Sequence, residues 1–157
     1  MEYAVKQYQL VCASRAVAMD YYHHVGEKLF FKVDTFNSKS ISDLLVHITH
    51  VYTFWLGNFA LKKNLAYIPI NDVSNLHTLQ RLYLDVDVLV EEFLENFKND
   101  PSSEVSGRAG TPPQEITRSP LEIFTHVLTH EFHHKGQILI MGRLLGFPPP
   151  DTDIIHF

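Results

Sequence analysis

The chain has 157 residues, of which 45% are hydrophobic and 20% charged, with a formal net charge of −5 when histidines are neutral. That size suits one domain with a sizeable core, and the acidic balance argues against a protein built around a phosphate backbone, so no nucleic-acid partner is expected. Cys12 is the only cysteine, which excludes an intramolecular disulfide and fits a reducing cytosol; no basic start with an apolar stretch opens the chain and no apolar run approaches a membrane span, so the expectation is a cytoplasmic protein with no membrane partner.

The first helix is predicted from about Glu2 to Val25, where Tyr3, Leu10, Val11, Ala18 and Tyr21 recur with helical spacing and no Gly or Pro intervenes before Gly26. Cys12 falls in this run and reads as a small buried hydrophobe. The second helix begins near Ser40, with Asp43 at capping-box spacing, and is expected to reach about Lys63 along an apolar face that includes Leu44, Ile48, Val51 and Trp55. A loop with Pro69, Asn71 and Asp72 follows.

The third helix covers about Ser74 to Lys98 and ends at Asn99-Asp100-Pro101, because Pro disfavours a helical residue before it. Residues 100–118 read as a long loop or a short hairpin, with Glu115-Ile116-Thr117 as the only strand candidate. The fourth helix opens on Ser119-Pro120 with Glu122 completing a capping box, and runs to about Leu145 before Gly146 and Pro148-Pro149-Pro150. Four helices of this length predict an all-α four-helix bundle, with residues 1–157 forming one domain.

Ten histidines are the unusual feature of the composition. His126, His130 and His134 lie four apart and share one face of the fourth helix, whereas His133 points roughly 100° away from His134. The pair His130 and His134 has the spacing by which a helix presents two imidazoles to one ion. Leu121, Phe124, Val127, Leu128, Ile138 and Met141 make the helix largely apolar, so the row is expected to face the core. On the second helix, His47 is a better inward candidate than His50, because Leu44, Val51 and Trp55 share its face. His23, His24, His77 and His156 read as solvated or capping residues, and His126 as a packed residue or one that orients a ligand.

His130-Glu131-Phe132-His133-His134 matches H-E-x-x-H, in which Glu131 would be a general base. The context opposes a protease. Gln137 and Ile140 stand where the metzincin extension needs Gly and His, and no Glu follows Glu131 to serve as a third ligand. Glu131 reads instead as an exposed carboxylate beside Lys135. Gly136 costs helix stability, and close approach of a neighbouring helix is the expected compensation; Gln137 reads as a packed or solvated residue or as a partner for a histidine.

Leu44-Leu45-Val46-His47-Ile48 followed by Trp55, then His130-Glu131-Phe132-His133-His134-Lys135-Gly136-Gln137, then the tail Leu145-Gly146-Phe147-Pro148-Pro149-Pro150-Asp151-Thr152-Asp153, resemble segments of the DinB-like (DinB/YfiT) family of damage-inducible candidate metalloenzymes. The resemblance implies a metal held by His47, His130 and His134, and it selects His47 over His50. It also implies an up-down-down-up bundle, a homodimer and a link to stress response. Tyr52 stands in the region where the family often carries an acidic residue.

Three neutral imidazoles leave open positions on a divalent ion, whether nickel, zinc, manganese or iron. Such an ion activates water or holds a thiol as a thiolate. Because related family members include S-transferases that use low-molecular-weight thiols, the first expectation is a metal-dependent transferase that activates a small thiol for attack on an electrophile. A metal-dependent hydrolase and a non-catalytic metal-binding module are the alternatives, the last favoured if Asp43 or His156 closes the ion as a fourth ligand.

Overall fold

The computed structural model describes residues 2–157. Four helices carry the fold: α1 (Glu2–Val25), α2 (Ile41–Tyr52), α3 (Leu76–Asn96) and α4 (Pro120–Leu144). Helix α2 packs on α3 and α4, and α1 also packs on α3 and α4, which puts α1 and α2 on opposite sides of the bundle. One apolar cluster, including Tyr8, Leu45, Tyr52, Leu79, Phe93 and Phe124, runs through all four. Among the described residues, no helix is long and apolar enough to cross a membrane.

Both capping boxes form as the sequence requires. Ser40 accepts from the Asp43 backbone N–H while Asp43 accepts from Ser40, and Ser119 and Glu122 repeat the arrangement at α4. Helix α3 starts two residues after the expected Ser74, with Asn75 as its N-cap, the side chain accepting from the Thr78 N–H. The second helix is not α-helical to Lys63. After Tyr52 it continues as a π-helix over Thr53–Ala60, closed by Leu61 N–H donating to Leu56 C=O five residues back, and the left-handed Lys62 ends it.

The long loop is a hairpin, in which β1 (Val105–Ala109) pairs antiparallel with β2 (Gln114–Arg118). The strand through Glu115-Ile116-Thr117 was expected and β1 was not. Gly107 admits this pairing beside the π-helix, since a Cβ there would lie 3.0 Å from the Phe59 ring.

The expected role of Gly136 is not the observed one. It is exposed, and a Cβ built on it meets nothing within 4 Å. The close approach occurs six residues later, where a Cβ on Gly142 would sit 1.9 Å from the Tyr21 hydroxyl that donates to Phe147 C=O. Two substitutions on one helix therefore have opposite signs. Gly136→Ala is expected to stabilise by up to about 1 kcal/mol, and Gly142→Ala to destabilise by about 1–3 kcal/mol through overpacking, both read from urea denaturation midpoints.

Candidate metal centre

Helix α2 supplies His47 and α4 supplies His130 and His134, and the three meet in the groove between these helices. His130 Nε2 lies 3.2 Å from His47 Nε2 and 3.2 Å from His134 Nε2. One ring nitrogen from each of the three falls within 4.8 Å of the others, and among the described residues no further His, Cys, Asp or Glu joins the group. The cluster does not face the core as the apolar character of α4 suggested: His130 and His134 are half-buried and His47 is more open. The buried stripe of α4 passes through Phe124, Val127, Glu131 and Ile138, and the histidine row flanks it.

The nitrogens fit an ion. With metal–nitrogen bonds of about 2.1 Å, two ligand nitrogens stand about 3.0 Å apart at a right angle and about 3.4 Å apart at the tetrahedral angle. The observed 3.2 Å contacts lie between these values. His130 Nε2 carries at most one proton, so it can donate to only one of its two neighbours. Its other nitrogen, Nδ1, is buried with no hydrogen-bond partner. Burial, reinforced by the His134 and His47 rings, pushes His130 down to about 4. Burial likewise lowers His47 and His134. All three are therefore neutral near pH 7, the state in which imidazole binds a metal.

Gln137 sits behind this cluster. Its Oε1 accepts from His134 Nδ1 at 2.7 Å and its amide nitrogen faces His133 Nε2 at 3.3 Å. A proton held on His134 Nδ1 leaves the lone pair on Nε2, toward the cluster.

The remaining histidines are placed elsewhere. His50 bonds Ile68 C=O at 2.9 Å and stacks edge-on against Tyr67. His126 is exposed and lies edge-on to Trp55, 5.2 Å between centroids, rather than in the core. His23 contacts Gln80, and His24 packs on Phe147. Neither proposed closing ligand reaches the cluster: Asp43 takes Ser40 N–H at 2.8 Å and Lys32 Nζ at 2.5 Å, and His156 pairs with Asp151.

Glu131 overturns one expectation outright. It is not an exposed carboxylate beside Lys135; it is 5% exposed and receives both Arg15 Nε at 2.8 Å and Arg15 Nη2 at 2.9 Å. The Tyr52 hydroxyl donates a third bond at 2.6 Å. Arg15 also reaches Asp87 at 2.6 Å and lies over the Tyr83 ring. Burial alone would push the Arg15 guanidinium down, but Glu131 holds it well above its ordinary value. A carboxylate with its oxygens committed in this way is a structural clamp, not a general base, so the H-E-x-x-H match does not make a protease site. Lys135 instead bonds Ser14 and Thr152 C=O, tying the tail to α1 and α4.

Sequence reasoning passed over Arg15, whereas it offered Gln137 as a partner for a histidine, and that histidine is His134. The signal for Arg15 is its spacing, seven residues after Tyr8 and three before Ala18, on the buried stripe of α1.

The family model described as the DinB family matches residues 7–157. A comparison with curated proteins finds no match.

Proposed function

The chain belongs to the DinB family, and from that premise we propose that it is a metal-dependent enzyme whose ion, held by His47, His130 and His134, activates a low-molecular-weight thiol for S-transfer to an electrophile. One observation carries the reading: three imidazole nitrogens converge with no fourth protein ligand among the described residues, beside a cleft of about 610 Å³. Three-histidine sets with open positions belong to catalytic sites, and structural sites are closed. A divalent ion bound there supplies a thiolate at neutral pH.

The chain's own thiol does not fill this role. Cys12 lies between α1 and α3, beside Arg15, Tyr83 and Asp87, and burial raises its thiol above the ordinary value. The thiol therefore comes from solution. Trp55, with Phe54 and Phe59 around it, covers the hairpin side of the cluster next to His126. The opposite side opens onto the cleft lined by Phe36, Leu44 and Ile70, which receives substrate. The reading includes the family's homodimer and up-down-down-up helix order.

The test is a conjugation screen on protein purified without an affinity tag, measured for nickel, zinc, manganese and iron. Stoichiometric metal, with thiol-dependent consumption of an electrophile that stops on chelation and returns with metal, is the expected result. Conjugation indifferent to chelation would refute the role of the ion, and full metal content with no consumption of any electrophile would refute the transferase.

A further inference from the structure

We propose that the cleft beside His47 and His134 is a binding site for a small carboxylate, with Lys39 meeting the carboxylate and Phe36, Leu44 and Ile70 meeting an apolar body. This deepens the function above by naming the polarity of its substrate, and rests on that reading only for the claim that the ligand is also a thiol.

The charge inventory of the cleft carries the inference. Its volume of about 610 Å³ is within the range that encloses a small organic molecule. Two charged side chains line it, Asp43 and Lys39. Asp43 is already balanced by Lys32 Nζ and Ser40 N–H, which hold its carboxyl below the usual range against the effect of burial. Lys39 forms no ion pair and no side-chain hydrogen bond among the described residues. The cleft therefore presents one uncompensated positive charge. Lys39 and His47 line the same cleft.

The backbone fixes where the Lys39 side chain begins. Val33 N–H donates to Lys39 C=O at 2.9 Å and Lys39 N–H to Phe36 C=O at 3.0 Å, closing residues 33–39 into a tight loop. Within it Asn37 and Ser38 both have φ of 53°, a left-handed pair that non-glycine residues adopt only when their surroundings impose it. Phe36 and Lys39 thus project from a held rim, which lowers the ordering cost of binding.

The donors present suit a carboxylate better than a phosphate. One ammonium matches one negative charge, and no arginine lines this cleft to offer a fork. The α2 N-terminus is no better suited to a phosphate: its Asp43 N–H is taken by Ser40 Oγ, and the Asp43 carboxylate on Ser40 N–H already places a negative charge there.

The test uses metal-free protein and three probes followed by NMR titration: 3-phenylpropionate, its amide and phenyl phosphate. The carboxylate should bind about tenfold more tightly than the amide, with shifts at Phe36, Lys39 and Leu44, and Lys39→Gln should erase that preference. Equal binding of carboxylate and amide, a preference that survives Lys39→Gln, tighter binding of phenyl phosphate, or no binding would overturn the proposal. A second arm adds 3-mercaptopropionate and its amide to zinc-loaded protein. Should phenylpropionate bind as expected while neither thiol gains affinity from zinc, the transferase reading fails and the carboxylate site stands.

Discussion

Replacing Arg15 by Ala is expected to cost about 3–5 kcal/mol of stability, the scale of a broken buried ion pair, and to lower Tm by about 10 °C in a chain of this size. Arg15 is 7% exposed, and its side chain joins α1 to α4 through Glu131 and to α3 through Asp87. Without it Glu131 keeps the Tyr52 hydroxyl but loses both guanidinium donors, and its charge is left in a site that water does not reach. Asp87 suffers less, being about one-third exposed. Glu131→Gln should cost a smaller but clear amount, because the amide keeps the shape and one acceptor while losing the charge pairing. The double variant should lose less than the sum of the two, since each removes the same bonds. Thermal denaturation of the four proteins measures all three quantities. The same set separates a clamp from a catalytic base: a base predicts that Glu131→Gln keeps wild-type stability and loses activity, whereas the clamp predicts lower stability with metal content unchanged.

The elements whose ends are chemical were legible, and those whose boundaries depend on partners were not. Ser40 and Ser119 satisfy orphan helix donors within three residues, so local sequence determines where α2 and α4 begin. The π-helix after Tyr52 carries no such mark. Its segment, Thr-Phe-Trp-Leu-Gly-Asn-Phe-Ala, is apolar nearly all round, which hides a change of period. Strand β1, Val-Ser-Gly-Arg-Ala, has neither alternation nor β-branched density; it exists because β2 and Phe59 stand where they do.

The histidine spacing identified which side chains share a face but not which way the face points. An apolar helix suggested an inward row, yet extending the stripe from Phe124 through Val127 in steps of three and four lands on Glu131, not His130. That step places a carboxylate in the core and calls for a buried cation, which the spacing of Arg15 on α1 supplies. The choice of His47 over His50 had no decisive local basis and came from the family resemblance. In the fold His50 is turned to Ile68 and His47 to the cluster.

Removal of the metal is the larger effect at the candidate centre, and the geometry orders the histidines. His130 touches both other rings, so His130→Ala leaves His47 and His134 without the nitrogen that links them. Stoichiometric metal should be lost in this variant and in His47→Ala, while His50→Ala, whose ring is engaged by Ile68, and the exposed His126→Ala should retain it. Gln137→Met falls between. It keeps the bulk of the side chain but removes the acceptor that holds a proton on His134 Nδ1, and the loss of such a partner weakens metal binding by about 10–100-fold. Gln137→Glu restores the acceptor and should restore affinity. Competition with a chelating dye gives the affinities, and the nitrogen chemical shifts of His134 in metal-free protein report its tautomer independently of any ion. Wild-type metal levels in both His130→Ala and His47→Ala would remove this centre from consideration. Loss in those two with Gln137→Met unaffected would leave the three ligands in place and return Gln137 to an ordinary packed residue.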